Sequence, residues 1–176
     1  SSSLDGAEDR DPETVLAAFQ EFKNAIIRQD GTTAASRLDA AFEQYTQDVI
    51  DMALDMSWDE LSQQRLSTRY SVVTARHRIP AEQLRSLSPR AFNELAYDKG
   101  WAGVESIGNV DIDLPVVERD RASAYVMADG NQSGVKFWFV YENGMWRIKV
   151  LPFLVAGDGL MKRMQDAQQL TDKQFF

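Results

Sequence analysis

"GVKFWFVYENGMWRIKV", residues 134–150, decides the fold. Four aromatic residues, Phe137, Trp138, Phe139 and Tyr141, fall within five positions, and Asn143-Gly144 separates them from a second apolar-rich segment. An Asn-Gly pair favours a two-residue type I′ turn, because both central positions need positive φ. With that turn, Glu142 pairs with Met145, Tyr141 with Trp146, Phe139 with Ile148 and Phe137 with Val150. Side chains alternate across a sheet. Val135, Phe137, Phe139, Tyr141, Trp146, Ile148 and Val150 therefore share one face, and Lys136, Trp138, Val140, Arg147 and Lys149 share the other. The first face asks for cover and the second is half wet, the pattern of a one-sided antiparallel sheet. Full burial of a residue such as Phe139 stabilises by about 1.5–3 kcal/mol, so packing accounts for most of this ring surface.

Two more strands precede the hairpin. "VDIDLPVVE" alternates Val110, Ile112, Leu114 and Val116 against Asp111, Asp113, Pro115 and Val117, and "RASAYVMA" follows it. Short turns join the four segments into an antiparallel meander. The cover comes from upstream. Asp11-Pro12 reads as an N-cap with proline at the first helical position. Val15, Phe19, Phe22 and Ile26 then mark one helix face, and Gly31 is read as its end. A second helix carries Leu38, Ala41, Phe42, Tyr45, Val49, Met52, Ala53 and Met56 on one stripe. Ser57-Trp58-Asp59-Glu60 fits a capping box, opening a helix with Trp58, Leu61, Leu66, Tyr70 and Val73. Where that helix ends is left open, because "YSVVTAR" fits a strand as well on propensity alone. Ser88-Pro89 caps a short helix holding Phe92, Leu95 and Ala96, and Gly100 and Gly103 flank Trp101. After Pro152 the pattern is helical again, with Leu160, Met161, Met164 and Leu170 on one side, and "KQFF" ends the chain as a segment that docks on the body or on another subunit.

The fold class is thus α+β. N-terminal helices pack on one face of a curved antiparallel sheet of about four strands, with an added C-terminal helix. Residues 1–11 form a flexible polar tail and 12–152 a single domain, with helices over 12–100 and the sheet over 102–151. Residues 153–176 are a C-terminal helical extension.

Composition narrows the function. The 176 residues are 44% hydrophobic and 26% charged, an ordinary globular balance, and the longest apolar run is far short of a membrane helix. Having no cysteine excludes disulfides, thiolate nucleophiles and cysteine-ligated metals. The net charge of −8 is uneven. Residues 1–60 hold 14 acids and 4 bases, residues 61–90 hold 1 acid and 6 arginines, and residues 91–176 hold 12 acids and 9 bases. A chain this acidic is a poor general binder of nucleic acid. The opening "SSSLDGAEDRD" suits a mature exported protein or a lipoprotein whose acylated cysteine has been removed, which would be its one tie to a membrane. It suits a frayed terminus equally well.

Individual candidates each have a plain reading. His77, the sole histidine, lies in Arg76-His77-Arg78 and reads as an exposed or helix-end residue. "DGNQSG", residues 129–134, begins like a calcium loop, but its twelfth position is Val140 rather than glutamate, so it reads as a hairpin turn. Asp111 and Asp113 have no further ligands and are read as solvent-exposed. No motif calls for a metal or a cofactor. The arginines after residue 61 either pair with the acidic helices before them or, through Arg76, Arg78 and Arg85, meet an anionic partner or lipid headgroups.

Paired helices leading into a curved sheet resemble the nuclear transport factor two-like (cystatin-like, α+β) superfamily. "VKFWFVYENGMWRIKV" resembles the last hairpin of its small envelope proteins, and "PETVLAAFQEFKNAIIRQDGTTAA" their opening helix and turn. The likeness covers residues 12–50 and 102–151. It departs over 57–100, which reads as wholly helical, and in the C-terminal helix. The resemblance implies a pocket between helices and sheet, for which the candidate residues are Tyr97, Trp101, Tyr125, Phe137, Phe139 and Trp146. It implies no reaction.

With no catalytic motif, the expectation is a non-enzymatic binding domain of the cell envelope. It would hold a small apolar ligand or a protein partner, or pair with itself through the outer sheet face around Trp138 and Val140. The alternative is an isomerase- or dehydratase-like enzyme with an acid/tyrosine pair drawn from Tyr70, Tyr97, Asp98 and Tyr125.

Overall fold

The structure, a computed structural model, describes residues 10–102, 107 and 109–174. Helices pack on one face of a curled antiparallel sheet and a C-terminal helix follows, an α+β architecture. In chain order the helices are α1 (Pro12–Ile27), α2 (Gly31–Ser36), α3 (Ala40–Asp55), α4 (Trp58–Ser62), α5 (Leu66–Arg78), α6 (Ala81–Ser86) and α7 (Pro89–Asp98). Strands β1 (Asp111–Ile112), β2 (Val116–Glu118), β3 (Arg121–Ala128), β4 (Asn131–Glu142) and β5 (Met145–Lys149) come next, and α8 (Val150–Gln174) closes the described chain.

The decisive hairpin has the register its turn demands. Asn143 and Gly144 take φ of 51° and 79°, and Glu142, Tyr141 and Phe139 lie opposite Met145, Trp146 and Ile148. Phe137, Phe139, Trp146 and Ile148 are all buried on one face. Two expectations at the hairpin's far end fail. Val150 begins α8 rather than pairing with Phe137, which stacks instead on Phe153 of that helix at a centroid distance of 4.7 Å. Val135 is exposed because the ladder shifts register between Tyr125 and Met127, which frees the end of β4 from the alternation. "DGNQSG" is a turn: Asp129 and Gly130 take φ of 51° and 77° between β3 and β4.

Strands β1 and β2 share one edge of β3. The single strand expected there is split, because Pro115 has no N–H for the ladder and turns inward. Leu114 and Val116, expected to share a face with the buried Ile112, are 67% and 66% exposed. Asp113 is tied down rather than free: its N–H donates to the Tyr125 carbonyl, and its carboxylate accepts from the Tyr125 N–H at 2.8 Å and from Gln132 at 3.1 Å. Asp111 pairs with Lys23 of α1 at 2.8 Å.

Helix α1 covers the sheet. Asp11 accepts from the Thr14 N–H at 2.8 Å as N-cap, and Val15, Ala18, Phe19, Phe22, Ala25 and Ile26 are buried. Gly31 does not end it. Gln29, at φ 56°, makes the left-handed stop, and Gly31 opens α2 against α7. A Cβ at Gly31 would lie 2.0 Å from the Glu94 carbonyl oxygen, and its N–H donates to Asp98 at 2.7 Å, so this contact admits only glycine. The far edge of β5 is closed by the α2–α3 link. Ile148 donates to the Arg37 carbonyl at 2.7 Å, and its own carbonyl accepts from Asp39. Leu38, expected on the α3 stripe, bridges Ile148 there, and Ala41 is exposed because the buried face of α3 runs through Thr46, Val49, Ile50 and Ala53.

The segment 57–100 is helical throughout, "YSVVTAR" included, but in four pieces. The helix expected from Trp58 to Val73 breaks after Ser62. The second piece buries Thr68, Val72 and Ala75, which leaves Tyr70 and Val73 exposed; Trp58 is exposed as well. Residues 1–9, 103–106, 108 and 175–176 lie outside the description. So do the expected tail over 1–9, Gly103, the last two residues of "KQFF", and the side chains of Leu160, Met161, Met164 and Leu170.

Candidate functional site

Two apolar clusters divide the molecule. The first joins α1 to the sheet and contains Phe19, Phe22, Phe137, Phe139, Trp146 and Ile148. The second joins α3, α4, α5 and α6 through Val49, Ala53, Leu61, Val72, Ala75, Ile79 and Leu84, with Phe92 and Leu95 of α7 packed against it. Between them lies a cleft of two contiguous lobes, of about 120 Å³ and about 500 Å³, which share Phe42, Tyr45, Tyr70, Ser71, Tyr97, Trp101 and Ala102.

Helical spacing builds its walls. Phe42, Tyr45 and Val49 stand on one face of α3, and Ser67, Tyr70, Ser71 and Thr74 on one face of α5. From α7 come Phe92, Asn93, Ala96 and Tyr97, and α8 closes the larger lobe with Phe153, Leu154 and Asp158. The Tyr45 hydroxyl is bonded to Thr68 at 2.9 Å, which satisfies its polar end and leaves its ring to line the cleft as apolar surface.

Polar groups borrowed from neighbouring helices hold the walls in place. Arg65 offers α5 no side-chain cap. Asp158 supplies one from α8, accepting from the Ser67 N–H at 3.0 Å and its hydroxyl at 2.6 Å. At the other end of α3, Arg76 donates to the Ala53 carbonyl at 2.9 Å, to Met52 at 3.1 Å and to Met56, while its guanidinium lies 5.0 Å over Trp58. Asp39, buried, caps α3 at the Phe42 N–H and pairs with Lys149 at 3.1 Å.

Of the six expected pocket residues, Tyr97 and Trp101 line the cleft. Phe137, Phe139 and Trp146 lie in the sheet core, because α1 sits directly on that face: Phe19 and Phe137 are 5.5 Å apart. Tyr125 is on the opposite side of the sheet, where Lys136 stands 4.8 Å over its ring and 5.7 Å over Trp138. That outer face is partly open, with Trp138 42% exposed. Asp98 points away to bond Gly31, so it does not join Tyr97 in the cleft.

The three arginines offered as an anion contact are engaged differently. Arg76 is spent on α3, Arg78 stacks 5.1 Å over Trp101, and Arg85 is exposed on α6. The expected pairing with acidic helices is realised by Arg90 and Glu43 at 2.9 Å. His77 is exposed in the last turn of α5. No metal-holding group of side chains occurs among the described residues.

Sequence reasoning missed Asn93, the one buried polar side chain of α7, which sits four residues before Tyr97 on the same face. The signal was present, a carboxamide within an otherwise apolar helical stripe. Burial pushes the Tyr97 phenol well above its ordinary pKa, so it stays protonated, and no hydrogen bond contributes to that shift. Among the described residues lining the cleft, Asp158 is the only charged one. Compared with models of known protein families, with curated proteins and with solved structures, the chain gives no match.

Proposed function

We propose that this chain is a non-enzymatic binding domain of the nuclear transport factor two-like kind, which holds a small, largely apolar ligand in the cleft between α3, α5, α7 and α8. The observation that carries this reading is the pairing of a filled sheet core with an open cleft edged by Phe42, Tyr45, Tyr70, Tyr97, Trp101 and Phe153. Its larger lobe, about 500 Å³, has the size and the apolar lining of small-molecule sites. Rings left facing open space forgo the contacts that a ligand would restore. Binding is favoured over catalysis by the use of its one carboxylate: Asp158 is committed to Ser67 as a helix cap. The superfamily assignment draws on the hairpin and on α1 lying across a curled sheet.

The test is a fluorescence titration with N-phenyl-1-naphthylamine, a neutral apolar probe that brightens on leaving water. Saturable binding at one site per chain is expected. Ser71→Trp, which places an indole between the two lobes, should abolish binding while the far-ultraviolet circular dichroism is preserved. Absence of saturable binding, or unchanged binding by the folded variant, would overturn the proposal.

A further inference from the structure

The inner wall of the smaller lobe carries a polar pair with one position left over. Asn93 is 4% exposed, and its carboxamide meets Thr46 at 2.9 Å. The same Thr46 hydroxyl lies 3.0 Å from the Phe42 carbonyl oxygen. A hydroxyl has one proton and cannot serve two acceptors fully. With the amide oxygen toward Thr46, these groups make one good hydrogen bond and bury two orphaned N–H donors at the other end, where Nδ2 has no partner. Turning the amide over lets Asn93 Nδ2 donate to Thr46 and Thr46 donate to Phe42, two bonds in place of one. The position without a partner then holds the Asn93 carbonyl oxygen, a buried acceptor on a residue that lines an apolar lobe. Leaving such a buried group unpaired costs about 1–3 kcal/mol.

Tyr97 stands one turn further along α7 and lines the same lobe, with a protonated hydroxyl. No lysine, arginine or histidine lies among the described residues of either lobe. A ligand carboxylate would be buried there without a counter-ion, at a large desolvation cost.

We infer that the cleft selects an uncharged alcohol, whose hydrocarbon body fills the lobes and whose hydroxyl donates to the free oxygen of Asn93, with Tyr97 as the donor available to the alcohol oxygen. This rests on the ligand-binding reading of the cleft and goes beyond it by naming the head group. An ether or ketone would leave Asn93 unpaired, and a carboxylate would be penalised by its charge.

The experiment is displacement of bound N-phenyl-1-naphthylamine by three molecules with one shared chain: decan-1-ol, its methyl ether 1-methoxydecane, and decanoate at pH 7.5. The alcohol should bind about tenfold more tightly than the ether, the worth of one buried hydrogen bond, and decanoate should bind least. Asn93→Leu, which keeps the number and branching of the side-chain heavy atoms, should remove the gap by weakening the alcohol and leaving the ether within about twofold, an effect confined to the lost hydrogen bond. The alcohol–ether comparison on the unaltered protein needs no variant and stands even if Asn93→Leu fails to fold. An ether that binds as tightly as the alcohol, a decanoate that binds best, or failure of all three to displace a probe that does bind would each overturn the Asn93 assignment while leaving the cleft a binding site. Failure of the probe itself to bind would remove both readings.

Discussion

The sheet-facing core and the helix-lined cleft use similar residues and end in opposite states. On the sheet side, Phe19 and Phe22 of α1 meet Phe137, Phe139, Trp146 and Ile148, and the space between them is closed. On the helical side, Phe42, Tyr45, Phe92, Tyr97 and Trp101 surround open volume. The difference lies in who supplies the partner surface. A sheet face is one broad surface that a single amphipathic helix can cover along its length. On the helical side the covering surface is divided among α3, α5, α7 and α8, and no one of them spans the space between the others. Their orphaned end groups must be satisfied from elsewhere, by Arg76 for α3 and by Asp158 for α5. The lesson is that the closed half is held by area, and the open half by a few directed polar contacts.

That contrast can be broken at graded cost. The largest effect is expected from Phe139→Ala, which removes a fully buried ring at the centre of the sheet core; denaturant unfolding should show a loss of about 3–5 kcal/mol. A loss below that of the helical-side variants would mean that the sheet core is not the dominant store of stability. Arg76→Ala comes next. It strips the cap from α3 and should cost about 1.5–3 kcal/mol, with faster amide exchange confined to the helical half. Arg76→Lys should recover little, since an ammonium cannot reproduce the fork. Asp158→Ala should cost about 0.5–2 kcal/mol and expose the Ser67 amide to exchange, as the loss of an N-cap does. The smallest change is expected from Tyr70→Ala, whose side chain is 66% exposed on the cleft rim. Stability should move by less than about 0.5 kcal/mol, so any larger effect on probe affinity is attributable to the cleft.

The helical half was also the less legible half. The Asn143-Gly144 turn is a local rule with one good solution, and it carried the register and the inward set of rings with it. The N-caps Asp11 and Ser88 are local in the same sense: their side chains accept from Thr14 and Ala91. Periodicity in α5 pointed to Tyr70 and Val73, whereas the buried face is Thr68, Val72 and Ala75. Which stripe of a weakly amphipathic helix turns inward depends on its neighbours, and here Thr68 is drawn inward by its bond to Tyr45. The alternation over 110–117 broke at Pro115, which is buried while Leu114 and Val116 leave the face they were expected to share with Ile112.

By itself, the order of residues determined the elements whose causes are local: the hairpin, the capped helices, the one-sided sheet and the α+β class. Each rests on interactions within a few positions or on a repeat of fixed period. The tertiary structure alone decided where space was left. That the inward hairpin rings are packed core rather than pocket wall, that Tyr97 and Trp101 line a cleft, and that Asn93 keeps one end of its amide free all depend on how α1, α7 and α8 are set against their neighbours. A cavity is a property of what fails to touch, and contacts between residues far apart in sequence settle it.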